Sequence, residues 1–194
     1  MMIKKMLFGL VLLLLFGWGY PPKPTTIVLQ PFNGMPKEQV DYITKEVKKI
    51  YPYVEVLEEI PLPKNCMNFS KSRYRADLLI RYLNRRAEKG TCVIGLTHKD
   101  ISSTKGKYAD WGVMGLGYCP GKACIISNYR VKGTDRLDKL YKLSIHELGH
   151  TQGIPHCPSK GCIMQDAKGK DRFSQEYGFC KKCTKHLKNK NWEI

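Results

Sequence analysis

His146-Glu147-Leu148-Gly149-His150-Thr151-Gln152-Gly153-Ile154-Pro155-His156-Cys157, followed by Cys162 and Met164, decides how this 194-residue chain reads. Two His four residues apart on a helix project from one face, one turn apart. That spacing suits two ligands of one zinc ion, with Glu147 between them as general base. Gly153 lets the backbone leave the helix through the left-handed conformation, and Pro155 keeps the helix from resuming. The chain can then turn back and deliver His156 as a third ligand. Three neutral imidazoles leave one tetrahedral position open for water, the pattern of catalytic rather than structural zinc. A bare H-E-x-x-H also occurs as an ordinary solvated helical surface. The added Gly and third His argue against that, because three of the chain's five His fall in this one segment.

Just beyond, Cys157 and Cys162 are followed by Cys180-Lys181-Lys182-Cys183. Two pairs of thiolates on short loops suit a four-cysteine structural zinc. Such an ion would tie the loop after the His helix to a tail with little core of its own. In an oxidising compartment the same thiols can form two disulfides instead, and spacing alone leaves both uses open. Four further Cys complete a total of eight. Cys119 and Cys124 bracket a turn and are expected to close it. Cys66 and Cys92 are expected to pair where a helix meets a strand; buried free thiols are the alternative.

Hydrophobic residues make up 42% and charged residues 26% of the chain, an ordinary globular mixture that fits one domain with a proper core. Lys4 and Lys5 precede the apolar run Met6–Phe16. That run is short for a membrane span and matches the core of a secretory signal. Residues 1–19 therefore read as a signal peptide or an N-terminal membrane anchor, and 20–194 as the folded domain. An exported location follows: secreted, periplasmic or held at a membrane surface. The net charge of +16 suits an anionic partner or simply a soluble basic surface. Export argues against nucleic acid as a partner.

Along the chain, Thr25–Phe32 reads as a buried strand. Lys37–Ile50 reads as an amphipathic helix ended by Pro52, and Tyr53–Leu57 as a second strand. Ser72–Lys89 reads as a helix capped by Gly90, and Cys92–Thr97 as a third strand. The alternation implies parallel pairing. His98–Asp110 is polar and turn-rich. Trp111–Tyr118 and Ile125–Tyr129 read as the arms of a hairpin. Asp135–Gln152 is the helix that carries the His, with Asp135 as its N-cap. The remainder, Gly161–Ile194, is Lys-rich and short of apolar periodicity. The expected class is α/β (α+β), a compact single domain.

The run His146-Glu147-x-x-His150-x-x-Gly153-x-x-His156-Cys157, then Cys162-x-Met164 and Cys180-x-x-Cys183, resembles the archaemetzincins, a branch of the metzincin zinc peptidases. The resemblance implies a metzincin-like domain: a twisted mixed sheet with an antiparallel edge strand, an active-site helix and a zinc-stapled C-terminal tail. It implies two zinc ions per chain. His146, His150 and His156 would hold the catalytic ion, and Cys157, Cys162, Cys180 and Cys183 the structural one. Glu147 would be the catalytic base and acid, and Met164 the Met-turn beneath the site. Residues near Val113–Tyr118 would line the cleft and pair with an extended peptide substrate. The interval from Met164 to Cys180 is shorter than the family's usual one, and a secretory-like N-terminus is not a family hallmark.

The function expected is hydrolysis of peptide bonds, with a zinc-bound water activated by Glu147. The alternative is a non-catalytic zinc protein that binds an anionic partner through its basic surface, since Lys181, Lys182, Lys185, Lys188 and Lys190 crowd around the last Cys pair. A monomer is expected.

Overall fold

Strands buried on both faces read as near-continuous apolar runs, and Ile27-Val28-Leu29 and Val93-Ile94 are such runs. They need helices above and below, which the intervening amphipathic segments supply. The structure, a computed structural model, describes residues 24–168 and 172–194. The expected signal or anchor segment lies outside the described residues.

The elements run β1 (Thr26–Pro31), α1 (Lys37–Lys48), β2 (Val54–Val56), β3 (Tyr74–Arg75), α2 (Ala76–Arg86) and β4 (Thr91–Thr97). They continue β5 (Ile101–Lys105), β6 (Tyr108–Val113), β7 (Gly115–Gly117), β8 (Ala123–Ser127), α3 (Arg136–Thr151) and α4 (Lys181–Lys188). The main sheet has the order β2-β1-β4-β8-β7. Its first four strands are parallel and β7 is antiparallel to β8, with Leu116 opposite Ile125. A second sheet has the order β3-β5-β6.

The side-chain period of 2 splits the core into two layers. Ile27, Leu29, Ile94 and Ile126 face α1 and α3, packing with Ile43, Val47, Leu140 and Leu148. Val28, Val93 and Ile125 face α2, packing with Leu79, Ile80 and Leu83. The mixed sheet, single domain and antiparallel edge strand agree with expectation.

Several local expectations need correction. The polar stretch 98–110 contains β5 and the start of β6, and Trp111–Val113 finishes β6 instead of joining the β7–β8 hairpin. Asp100 contributes to this: its carboxylate takes Arg73 Nε at 2.7 Å and Arg130 Nε at 2.7 Å, an ion network that adds to the packing of Ile101 and Val113. Helix α2 stops at Arg86, and Gly90 (φ +83°) serves the turn into β4. Asp135 occupies the N-cap position of α3, but its carboxylate pairs with Lys139 Nζ at 3.1 Å without capping the helix.

The two expected disulfides are absent, and all eight cysteines are free. Cys66 lies in the α2 layer and Cys92 in the α1/α3 layer, with the sheet between them. Cys124 points into the core, whereas Cys119 is exposed.

Candidate active site and cysteine cluster

Helix α3 crosses beneath β7 and β8 and puts His146, Glu147 and His150 toward the edge of the sheet. Gly153 then adopts φ +92°, and its N–H donates to the His150 carbonyl at 2.8 Å, ending the helix as its residue type predicts. The chain reverses and brings His156 to the other two His. Ring centroids are 4.8 Å apart for His150–His156 and 5.5 Å for His146–His156.

These residues fit a zinc ion. Nε2 of His146 and Nε2 of His150 are 3.1 Å apart, and one ring nitrogen from each of the three lies within 4.8 Å of the others. Tetrahedral coordination with Zn–N of 2.0–2.1 Å separates ligand nitrogens by about 3.3 Å. The opposite nitrogens are engaged elsewhere. His146 Nδ1 donates to the Ile163 carbonyl at 2.6 Å, and His150 Nδ1 to the Ile154 carbonyl at 2.7 Å. Because a neutral imidazole has one donor and one acceptor nitrogen, these bonds aim the Nε2 lone pairs at the shared space. Burial also draws the His146 ring down to about 4 and lowers His150, which keeps both neutral as ligands must be.

The carbonyl that orients His146 belongs to a short segment held on all sides. Ile163 N–H donates to Gly178 O at 2.9 Å, and Cys157 N–H to Met164 O at 2.7 Å. Met164 is fully buried under α3. A Cβ at Gly149 would fall 2.5 Å from its sulfur, so only a glycine in the second variable position of H-E-x-x-H admits this approach.

Cys157, Cys162, Cys180 and Cys183 gather immediately behind, all four Sγ within 4.8 Å of one another. Cys157–Cys180 is 3.7 Å and Cys162–Cys183 is 3.8 Å. Tetrahedral zinc with Zn–S of 2.3 Å separates sulfurs by about 3.8 Å, whereas a disulfide bond is about 2.05 Å. The cluster therefore has the dimensions of a metal site. The Cys183 backbone amide, at the start of α4, with the adjacent thiols, draws the Cys180 thiol down to about 6, which favours thiolate. Helix α4, unread in the Lys-rich tail, buries Cys183 and Leu187 on one side and leads to buried Trp192.

Glu147 lines the same cleft as the three His and lies against the edge strand. Its side chain packs against two glycines of β7: a Cβ at Gly115 would sit 2.5 Å from Glu147 Oε1, and one at Gly117 would sit 3.2 Å from Oε2. Full burial pushes its carboxyl up to about 8. A divalent cation held by the neighbouring His would draw it down again.

The cleft in front encloses about 710 Å³. One wall is β7, as expected for Val113–Tyr118. The other walls were not foreseen: Lys105 and Trp111 from the β5–β6 hairpin, Asp166 and Lys168 beyond the Met-turn, and Phe173 deeper in. Lys105 Nζ sits 5.1 Å above the Trp111 ring. The G-x-G spacing of β7 was the one available signal, since glycines on alternate positions leave one strand face bare.

Two measurements test the metal assignment together. Elemental mass spectrometry of the purified protein should give two zinc per chain, and alkylation after denaturation with chelator should find eight reduced thiols. One zinc with four oxidised cysteines would contradict the cluster.

Comparison with known proteins agrees with this geometry. The model of Peptidase family M54 matches residues 27–189. The archaemetzincin of Haloquadratum walsbyi is 30% identical over 137 residues, covering 64% of this chain and 76% of that protein. That of Methanocaldococcus jannaschii is 27% identical over 174 residues, covering 84% and 93%. Among solved structures, the archaemetzincin of Methanopyrus kandleri superposes with a TM-score of 0.73 at 26% identity, covering 87% of this chain and 96% of that one. The archaemetzincin of Archaeoglobus fulgidus shares the fold, with a TM-score of 0.71 at 24% identity, covering 83% and 99%. A family match over most of the chain, joined to a three-His site and a four-Cys cluster of zinc dimensions, places this chain in peptidase family M54 as a zinc metallopeptidase of the archaemetzincin type.

Proposed function

We propose that His146, His150 and His156 hold the catalytic zinc, that Cys157, Cys162, Cys180 and Cys183 hold the structural one, and that Glu147 is the catalytic base and acid. The observation that carries this is the position of the Glu147 carboxylate, against the bare backbone of β7 in the cleft that the three imidazoles also line. When bound, the ion supplies Lewis acidity toward the scissile carbonyl and makes water acidic enough to deprotonate near neutral pH.

The chain's own residues do the rest. β7 is the edge of the main sheet, so its outward N–H and C=O groups can pair with a peptide laid along it. That pairing holds the substrate extended, with its scissile bond over Glu147. Glu147 accepts a proton from the attacking water and returns it to the amide nitrogen as the C–N bond breaks. Gly115 and Gly117 let the strand, and so the substrate, approach that carboxylate closely. Trp111 and Phe173 give the cleft apolar walls that exclude water. The substrate is a peptide or protein in extended form. The basic surface complements this activity and does not replace it.

Replacing Glu147 by Gln keeps both zinc ions and lowers kcat/KM for a peptide by about 10²–10⁴-fold. Undiminished cleavage would end the assignment. Gly115→Ala puts a methyl against Glu147 Oε1 and displaces the carboxylate. A misplacement of that size costs about 10²-fold in rate, with zinc content unchanged. Full activity in this variant would show that the carboxylate does not work from this position.

A further inference from the structure

The parallel strands all begin at one end of the domain, and hydrogen bonds identify what gathers there. Thr26 N–H donates to Gly90 O at 2.9 Å, Val93 N–H to Lys122 O at 2.9 Å, and Gly121 N–H to Thr151 O at 3.2 Å. The Tyr51 hydroxyl donates to the Thr25 carbonyl. His186 Nε2 lies 2.9 Å from the Gln152 carbonyl, and Glu193 N–H donates to Ile50 O at 2.8 Å. This end therefore joins the C-terminal ends of α1, α2 and α3, the start of β8, and α4.

Helix C-termini attract cations, and here they carry them. Lys48, Arg86, Lys89, Lys122, Lys185 and Lys188 are all exposed at or beside this end. The acidic groups facing them are fewer: Glu55, Glu88 and Glu193 are exposed, the Ile194 carboxylate adjoins Glu193, and Glu46 is paired with Lys49 Nζ at 2.7 Å. Tyr53, 48% exposed, stands among them and packs edge-on against Tyr51, their ring centroids 6.0 Å apart. Fixed basic charge with an exposed aromatic ring is the combination suited to lipid headgroups.

The start of the domain also points here. Only the eight residues Gly17–Pro24 separate the apolar run Met6–Phe16 from Thr25. Fully extended, eight residues span at most about 28 Å. The apolar run is thus tethered within about 28 Å of Thr25, and the residues between include Trp18 and Tyr20, residue types suited to an interface.

We infer that this basic end is a docking face for an anionic lipid surface, which sets the catalytic domain down on the membrane in one orientation. Six basic side chains clustered on one face act additively at a surface of phosphate-bearing lipids, and the apolar run supplies the second attachment. Nucleic acid shares the phosphate chemistry, but the adjoining apolar run has no role in that case.

The test uses the full chain with vesicles of pure phosphatidylcholine and vesicles containing about one-third phosphatidylglycerol. Co-sedimentation should rise about 10²-fold with the anionic lipid. The gain should vanish as salt shortens the screening length from about 10 Å to about 3 Å. Arg86→Glu, Lys89→Glu and Lys122→Glu in combination should abolish the gain. The same charge change at the opposite end, Lys64→Glu with Lys99→Glu and Arg136→Glu, should leave it. Both triple variants should still cleave a short soluble peptide, since none of the six residues lines the cleft. Equal partition onto the two vesicle types would overturn the inference, as would equal loss in the two triple variants. Tighter retention on duplex DNA than on anionic vesicles at the same salt would overturn it in favour of nucleic acid.

Discussion

One hydrogen bond, from His146 Nδ1 to the Ile163 carbonyl at 2.6 Å, links the parts of this protein that matter for catalysis. It fixes which nitrogen of His146 faces the shared space, as a metal ligand needs. The carbonyl is useful only if it stays where it is. Gly178 holds Ile163 from one side, Cys157 holds Met164 from the other, and Cys162, next in the chain, belongs to the four-sulfur cluster. In the proposed assignment the structural metal site would act on the catalytic one through this segment. His156 and Cys157, adjacent in the chain, divide the same loop between the two sites.

A second constraint is the absence of side chains. In its proposed role Glu147 reaches a water beside the three His while a substrate lies over it, and a Cβ at Gly115 or Gly117 would meet its carboxylate. Gly115 and Gly117 remove the obstruction, and Gly149 does the same below the helix for Met164. Three glycines thus permit three close approaches around one turn of α3. The cost is a short edge strand of three residues with little packing of its own. It is held by its pairing to β8, whose residues are fully buried.

The site was legible in the sequence because its chemistry is local. His146, Glu147, His150 and His156 lie within eleven residues, and helix geometry alone brings His146 and His150 to one face. Parallel pairing of the first strands was legible because Thr25–Phe32, Tyr53–Leu57 and Cys92–Thr97 alternate with amphipathic helices, whereas the place of β8 beside β4 was not. The β5–β6 hairpin was not legible either, because Asp100 with Arg73 and Arg130 shares the role that apolar alternation usually signals. Helix α4 was hidden because only Cys183 and Leu187 among its eight residues are buried, one pair at a spacing of four. The pairing of Cys66 with Cys92 failed for a topological reason. Which face of the sheet a loop visits is decided by the path of α2, and no local pattern around Cys66 records that.

The coupling between the two metal sites is the claim on which the rest stands, and zinc affinity in the Cys183→Ser variant measures it most directly. Chelator competition on the wild type and the variant reads the affinity of the three-His site in each. With the cluster broken, Ile163 loses its anchor, and the remaining ion should bind about 10–100-fold more weakly, the usual effect of losing a residue that orients a ligand. An unchanged affinity at the three-His site would show that the two sites are neighbours without being coupled.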